Sequence, residues 1–139
     1  MKIYLIQGFS MPSHQWYNIG CDSRGYMSVF VQQGLSYFMF SGGMYPDETS
    51  DAGYLAGQMV DQIGDSRLSK GQVLMDRAEF TKEYLRIPGE IRYELKKQEG
   101  GIWVGRHTSE IFGEGSVRCV ITEVSEEIFH PPNLPDRPR

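Results

Sequence analysis

The sequence predicts an all-β chain, a single antiparallel meander closing into a barrel. Three observations carry that reading. The chain has 139 residues, which is one domain's worth, so one core must serve the whole molecule. Its 16 glycines are scattered along the chain and exceed the usual share of roughly 7%, which suits many turns better than a few long helices. From Ala78 onward the hydrophobic period is close to 2, the signature of half-buried strands.

Taken in order, Met1 to Gln7 reads as a first strand, with a four-residue apolar stretch that is too short for a signal-peptide core of roughly 7–15 residues. A cytoplasmic protein is therefore expected. Residues 26–45 are rich in aromatic and β-branched side chains, and Gly34 and Gly42-Gly43 divide them into strands over 27–32 and 36–41. Residues 53–70 admit two readings. Leu55, Met59 and Ile63 recur every four residues behind Ser50-Asp51, as a short helix over 51–63 would require, yet they also share one face of a strand. Gly53 and Gly57 would each cost a helix interior about 0.8–1 kcal/mol, which favours the strand. Four strands follow: Glu79 to Leu85, Ile91 to Lys97, Ile102 to Thr108 and Ser116 to Val124. Pro88-Gly89, Glu99-Gly100-Gly101 and Gly113-x-Gly115 mark the turns between them. The barrel domain is expected to occupy 1–129. Residues 130–139 carry four prolines and form a proline-rich tail that is expected to be extended and flexible.

The residues Gly57, Asp61, Gly64 and Gly71, then Phe80-x-Lys82-x-Tyr84, Ile91-x-Tyr93-x-Leu95 and Gly101-Ile102-Trp103-x-Gly105, form a pattern over about half the chain. It resembles β-barrel domains of the calycin-like group, related to lipocalins and fatty-acid-binding proteins. Trp103-Val104-Gly105 is similar to the Gly-x-Trp strand of calycins, placed late in this chain. The resemblance implies a barrel with a lined interior and brings no catalytic set with it.

Composition narrows the chemistry. A net charge of −4 lacks the basic footprint that nucleic-acid binding requires, and no apolar run reaches the ~20 residues that span a bilayer. Cys21 and Cys119 lie far apart with no CxxC spacing, and His14, His107 and His130 are scattered, so no disulfide framework, metal site or cofactor is expected. Cys119 alternates with Val117 and Ile121 as a buried thiol. Cys21, in a Gly-Cys-Asp-Ser turn, is the more exposed of the two.

Alternation supplies the candidate sites. If Phe80, Ile91, Tyr93, Leu95, Ile102, Val104, Cys119 and Ile121 face inward, then Lys82, Tyr84, Arg106, Thr108 and Glu123 follow them inside. Buried charges need partners, so these groups would form either a salt-bridged plug or the polar end of a ligand cavity. Lys82, Tyr84, Tyr93 and Arg106 are the expected anchors for a small, partly apolar and anionic ligand, with Glu123 balancing the charge. The expected protein is thus a non-enzymatic small-molecule binder. A second reading is a filled barrel that docks a protein or forms a homodimer through Trp103 and Arg118. A third uses the same interior groups for acid–base catalysis.

Overall fold

The computed structural model describes residues 3–11, 20–21, 27–28, 38–61, 63–110 and 113–124. Ten strands lie in them: β1 (Ile3–Met11), β2 (Gly20–Cys21), β3 (Met27–Ser28), β4 (Phe38–Pro46), β5 (Leu55–Asp61), β6 (Asp65–Val73), β7 (Arg77–Tyr84), β8 (Ile91–Lys97), β9 (Ile102–Ser109) and β10 (Gly113–Val124). Among the described residues, β2 and β3 pair with each other in a two-stranded sheet. The other eight close into an antiparallel barrel in the order β1-β10-β9-β8-β7-β6-β5-β4. No helix of the described residues is long and apolar enough to cross a membrane.

The early chain differs most from expectation. β4 runs through Gly42-Gly43 instead of ending there, because the wall of a small barrel coils tightly enough to need inward positions without a side chain. At Gly57 a β-carbon would collide with the Gly43 carbonyl oxygen, and at Gly105 with that of Glu94. Residues 53–70 form two strands, and the helix over 51–63 is excluded. Leu55, Gly57 and Met59 alternate inward on β5, while Ile63 lies in the turn beyond it. Of the strand expected over 27–32, only Met27–Ser28 is described. The proposed tail at 130–139, the domain limit at 129, His14 and His130 lie outside the described residues.

The late strands follow the alternation, with one reversal of phase. β7 buries Ala78, Phe80, Lys82 and Tyr84, and β8 buries Ile91, Tyr93 and Leu95. On β9 the inward set is Trp103, Gly105 and His107; Ile102 and Val104 are only half-buried, and Arg106 is exposed. The register explains it. A one-turn 3-10 segment at Glu99–Gly101, with both Gly100 and Gly101 at positive φ, sets Trp103 opposite Lys97 and His107 opposite Tyr93. Directly opposed residues share a face, so Tyr93 carries His107 inward with it.

The interior is occupied by one contiguous cluster that includes Ile6, Phe40, Met44, Met59, Leu68, Phe80, Tyr93, Leu95, Trp103 and Val117. Phe80 stacks on Tyr93 with centroids 4.7 Å apart and an interplanar angle of 15°, while Phe40 meets the same tyrosine edge-on at 6.0 Å. Aromatic pairs of this kind contribute beyond the area they bury.

Candidate functional site at the polar end of the barrel

The antiparallel order gathers the β5–β6, β7–β8 and β9–β10 turns at one end of the barrel. The C-terminus of β1 and the N-terminus of β4 meet there too. Inward positions near this end are polar: Ser10 on β1, Asp61 on β5, Ser66 on β6, Lys82 and Tyr84 on β7, and His107 on β9. The opposite half of the interior is aliphatic and aromatic.

Asp61 is the hub. Its Oδ1 accepts the backbone N–H of Ile63 at 2.8 Å and that of Gly64 at 3.3 Å, which closes the β5–β6 turn. Its Oδ2 accepts the Tyr84 hydroxyl at 2.5 Å and the Lys82 ammonium, which pairs with it as a salt bridge. The side chains of Lys82 and Asp61 are 1% and 0% exposed, so the pair lies wholly out of water. Lys82 also sits 4.6 Å from the centre of the Tyr84 ring and reaches the Tyr93 hydroxyl at 3.4 Å. The result is a polar strut joining β8, β7 and β5.

Burial governs the protonation of these groups. It lowers the pKa of Lys82, against the raising effect of the Asp61 charge and hydrogen bond. Burial first, then the hydrogen bond to Asp61 and its charge, push Tyr84 far up; burial and the Asp61 charge raise Tyr93. Both phenols therefore stay protonated at neutral pH. Burial also pushes Cys119 up, which makes it an inert thiol. His107 is held below the ordinary histidine range by burial and by the Lys82 charge, with a smaller opposing effect from Glu114. It is buried, and its Nδ1 has no hydrogen-bond partner among the described residues.

A pH dependence follows from His107. Its pKa is lowered from 6.5, so the unfolded chain takes up a proton that the folded chain resists. The stability it contributes is complete above about pH 6.5 and is lost as pH falls from there through the lowered value. Urea midpoints measured between pH 7.5 and pH 5 should fall less steeply for His107→Gln than for the wild type. Parallel slopes would show that His107 is not buried as a neutral group.

The structure brings Lys82, Tyr84 and Tyr93 together as expected from the alternation. It separates the others. Arg106 points outward, exposed, with its guanidinium 3.1 Å from Glu114, because β9 is rotated by one residue from the expected phase. Glu123 is exposed as well and balances no interior charge. Trp103, expected on the outer wall, is buried at 4% exposure in the core. Arg118 is half-buried on the outer face opposite Val104, so the two do not share a surface. Asp61 and His107 are the functional groups that the sequence reading did not place inside. For Asp61 the signal was present: it continues the inward series Leu55, Gly57, Met59.

No protein-family model, curated protein or solved structure matches the chain. An eight-stranded antiparallel barrel is consistent with a calycin-like architecture.

Proposed function

We propose that the protein is a non-enzymatic binder of a small, uncharged, partly apolar molecule with a hydroxyl group, held at the polar end of the barrel beside His107. One observation carries this reading: the His107 Nδ1 is buried without a partner among the described residues, next to a polar set in which Asp61, Lys82 and Tyr84 satisfy one another. A neutral imidazole has one nitrogen free to accept, and a hydroxyl donor would meet that need. Asp61 cancels the Lys82 charge, and Arg106 is outside, so the interior favours a neutral ligand over the anion that the sequence suggested. The filled core restricts the ligand to a small one. An open hollow of about 720 Å³ lies at this rim, lined by Pro88, Glu90 and Ser109, the last of them two residues beyond His107 on β9.

The test is a titration with small alcohols and phenols, followed by the ring nitrogens of His107 in long-range proton–nitrogen NMR spectra. A binder should shift the Nδ1 resonance, and His107→Ala should weaken it about tenfold, the worth of one hydrogen bond to a buried group. Native mass spectrometry of protein purified from its own host should show an adduct that His107→Ala loses. Binding that leaves the Nδ1 resonance unmoved would overturn the assignment.

A further inference from the structure

We infer that the outer wall of the barrel carries a second, separate site, at the β6 bulge, for a small zwitterion of free amino acid or dipeptide size. The site begins with a defect in the ladder. Ser69 pairs with Thr81 and Gln72 with Glu79, so Lys70 and Gly71 together oppose Phe80 alone. A bulge of this kind places its first residue in the left-handed region, a position that glycine ordinarily fills. Here Lys70 fills it, at φ 52°, and it is the one non-glycine residue with positive φ among the described residues. The neighbouring Gly71 is buried against Met44 and Leu55, so glycine is spent one residue later, under the wall. A lysine kept in a conformation that costs stability, at a bulge that re-aims it, points to use of its side chain.

Lys70 lines a cleft of about 310 Å³, at the lower end of the range for small-molecule sites. Its other polar walls are Glu79, Thr81, Glu90, Arg92 and Thr108. Phe80 turns its ring into the core, so it meets the cleft with the backbone that the bulge leaves opposite no single β6 partner. The lining holds two cations and two carboxylates. That balance repels a simple anion or cation as much as it attracts it, and suits a ligand carrying both charges. Arg92 already lies 3.7 Å from Glu79 and 3.0 Å from Glu94, whereas Lys70 makes no ion pair among the described residues. A ligand carboxylate bridging Lys70 and Arg92 would loosen Arg92 from Glu79 and leave Glu79 to accept the ligand ammonium. Thr81 and Thr108, directly across Arg92 on either side, can hydrogen-bond either end.

The experiment titrates the full chain with each protein amino acid and with alanyl-alanine, to about 10 mM, the range of weak small-ligand binding. Binding is read from backbone amide shifts. At least one of these probes should move the amides of Thr81 and Thr108. Lys70→Gly and Glu79→Gln should each weaken it about tenfold or more, and the matching simple amine and simple acid should not bind. Lys70→Gly should also unfold at a higher temperature than the wild type, because glycine relieves the backbone, so its loss of binding cannot come from misfolding. If no probe binds the wild type, if Lys70→Gly binds equally well, or if the shifts fall at His107 instead, the inference fails. His107→Ala should leave this binding unchanged, which separates it from the site at the barrel end.

Discussion

Replacing Asp61 with alanine should destabilise the barrel by about 3–5 kcal/mol, the cost of stranding one member of a buried ion pair. The loss is large against the roughly 5–15 kcal/mol that holds a domain together. Lys82 would remain at 1% exposure with its partner gone, the Tyr84 hydroxyl would lose its acceptor, and the Ile63 and Gly64 amides would lose theirs. Urea unfolding of Asp61→Ala measures the cost. Adding Lys82→Met in the same chain should recover most of it, since a buried pair replaced by apolar groups is often near neutral. The single variant should also become more stable as pH rises toward about 10. Both influences that raise the Lys82 pKa come from Asp61, so without it burial alone remains and lowers that value further. The unfolded chain then binds the extra proton, and stability increases with pH across the window below the free-lysine value of 10.5. A loss under about 1 kcal/mol would mean that water reaches the pair.

Phe80→Ala should cost a similar amount, about 3–5 kcal/mol, through lost burial and the void left behind. Phe80 is 1% exposed and stacks on Tyr93, which Phe40 also meets edge-on. The void would open directly beneath the polar strut, lined by aromatic and aliphatic side chains. Such cavities stay dry and accept small apolar molecules, so benzene should raise the urea midpoint of Phe80→Ala and leave the wild type unchanged. Phe80→Leu, which keeps most of the volume, should lose far less. Equal response of wild type and Phe80→Ala to benzene would show that the interior is hollow, and the ligand would then no longer have to be small.

These two expectations rest on features of different legibility. Phe80, Lys82, Tyr84 and Tyr93 could be placed inside from β7 and β8 alone, because their alternation is unbroken and each strand fixes its own phase. Asp61 obeyed the same rule on β5, but the four-residue spacing of Leu55, Met59 and Ile63 kept a helix in competition, and a carboxylate gives no apolar signal of its own. β9 misled for a different reason. Ile102 and Val104 look like core residues and Trp103 like a surface anchor, yet β-branched side chains also suit the outer face of a sheet, and the core had room for indole beside Gly105. Arg106 changed its role with that phase, whereas β10 kept the expected one: Arg118 stays on the outer face, and Glu123 is exposed because it lies at the far end of the strand, opposite Tyr4.

The sequence by itself determined the fold class, the late strands and the presence of a lysine and two tyrosines in the interior, because period 2 and turn residues are local properties of the chain. It could not determine which charge meets Lys82, which side chain fills the space above it, or where a bulge breaks the wall. Those depend on register between strands far apart in sequence, set by turn geometry at Glu99–Gly101 and by the extra residue at Lys70-Gly71. A shift of one residue exchanges inside for outside along a whole strand, so only the closed barrel could decide that Asp61 and His107, rather than Arg106, complete its polar end, and that Glu123 falls at the opposite end.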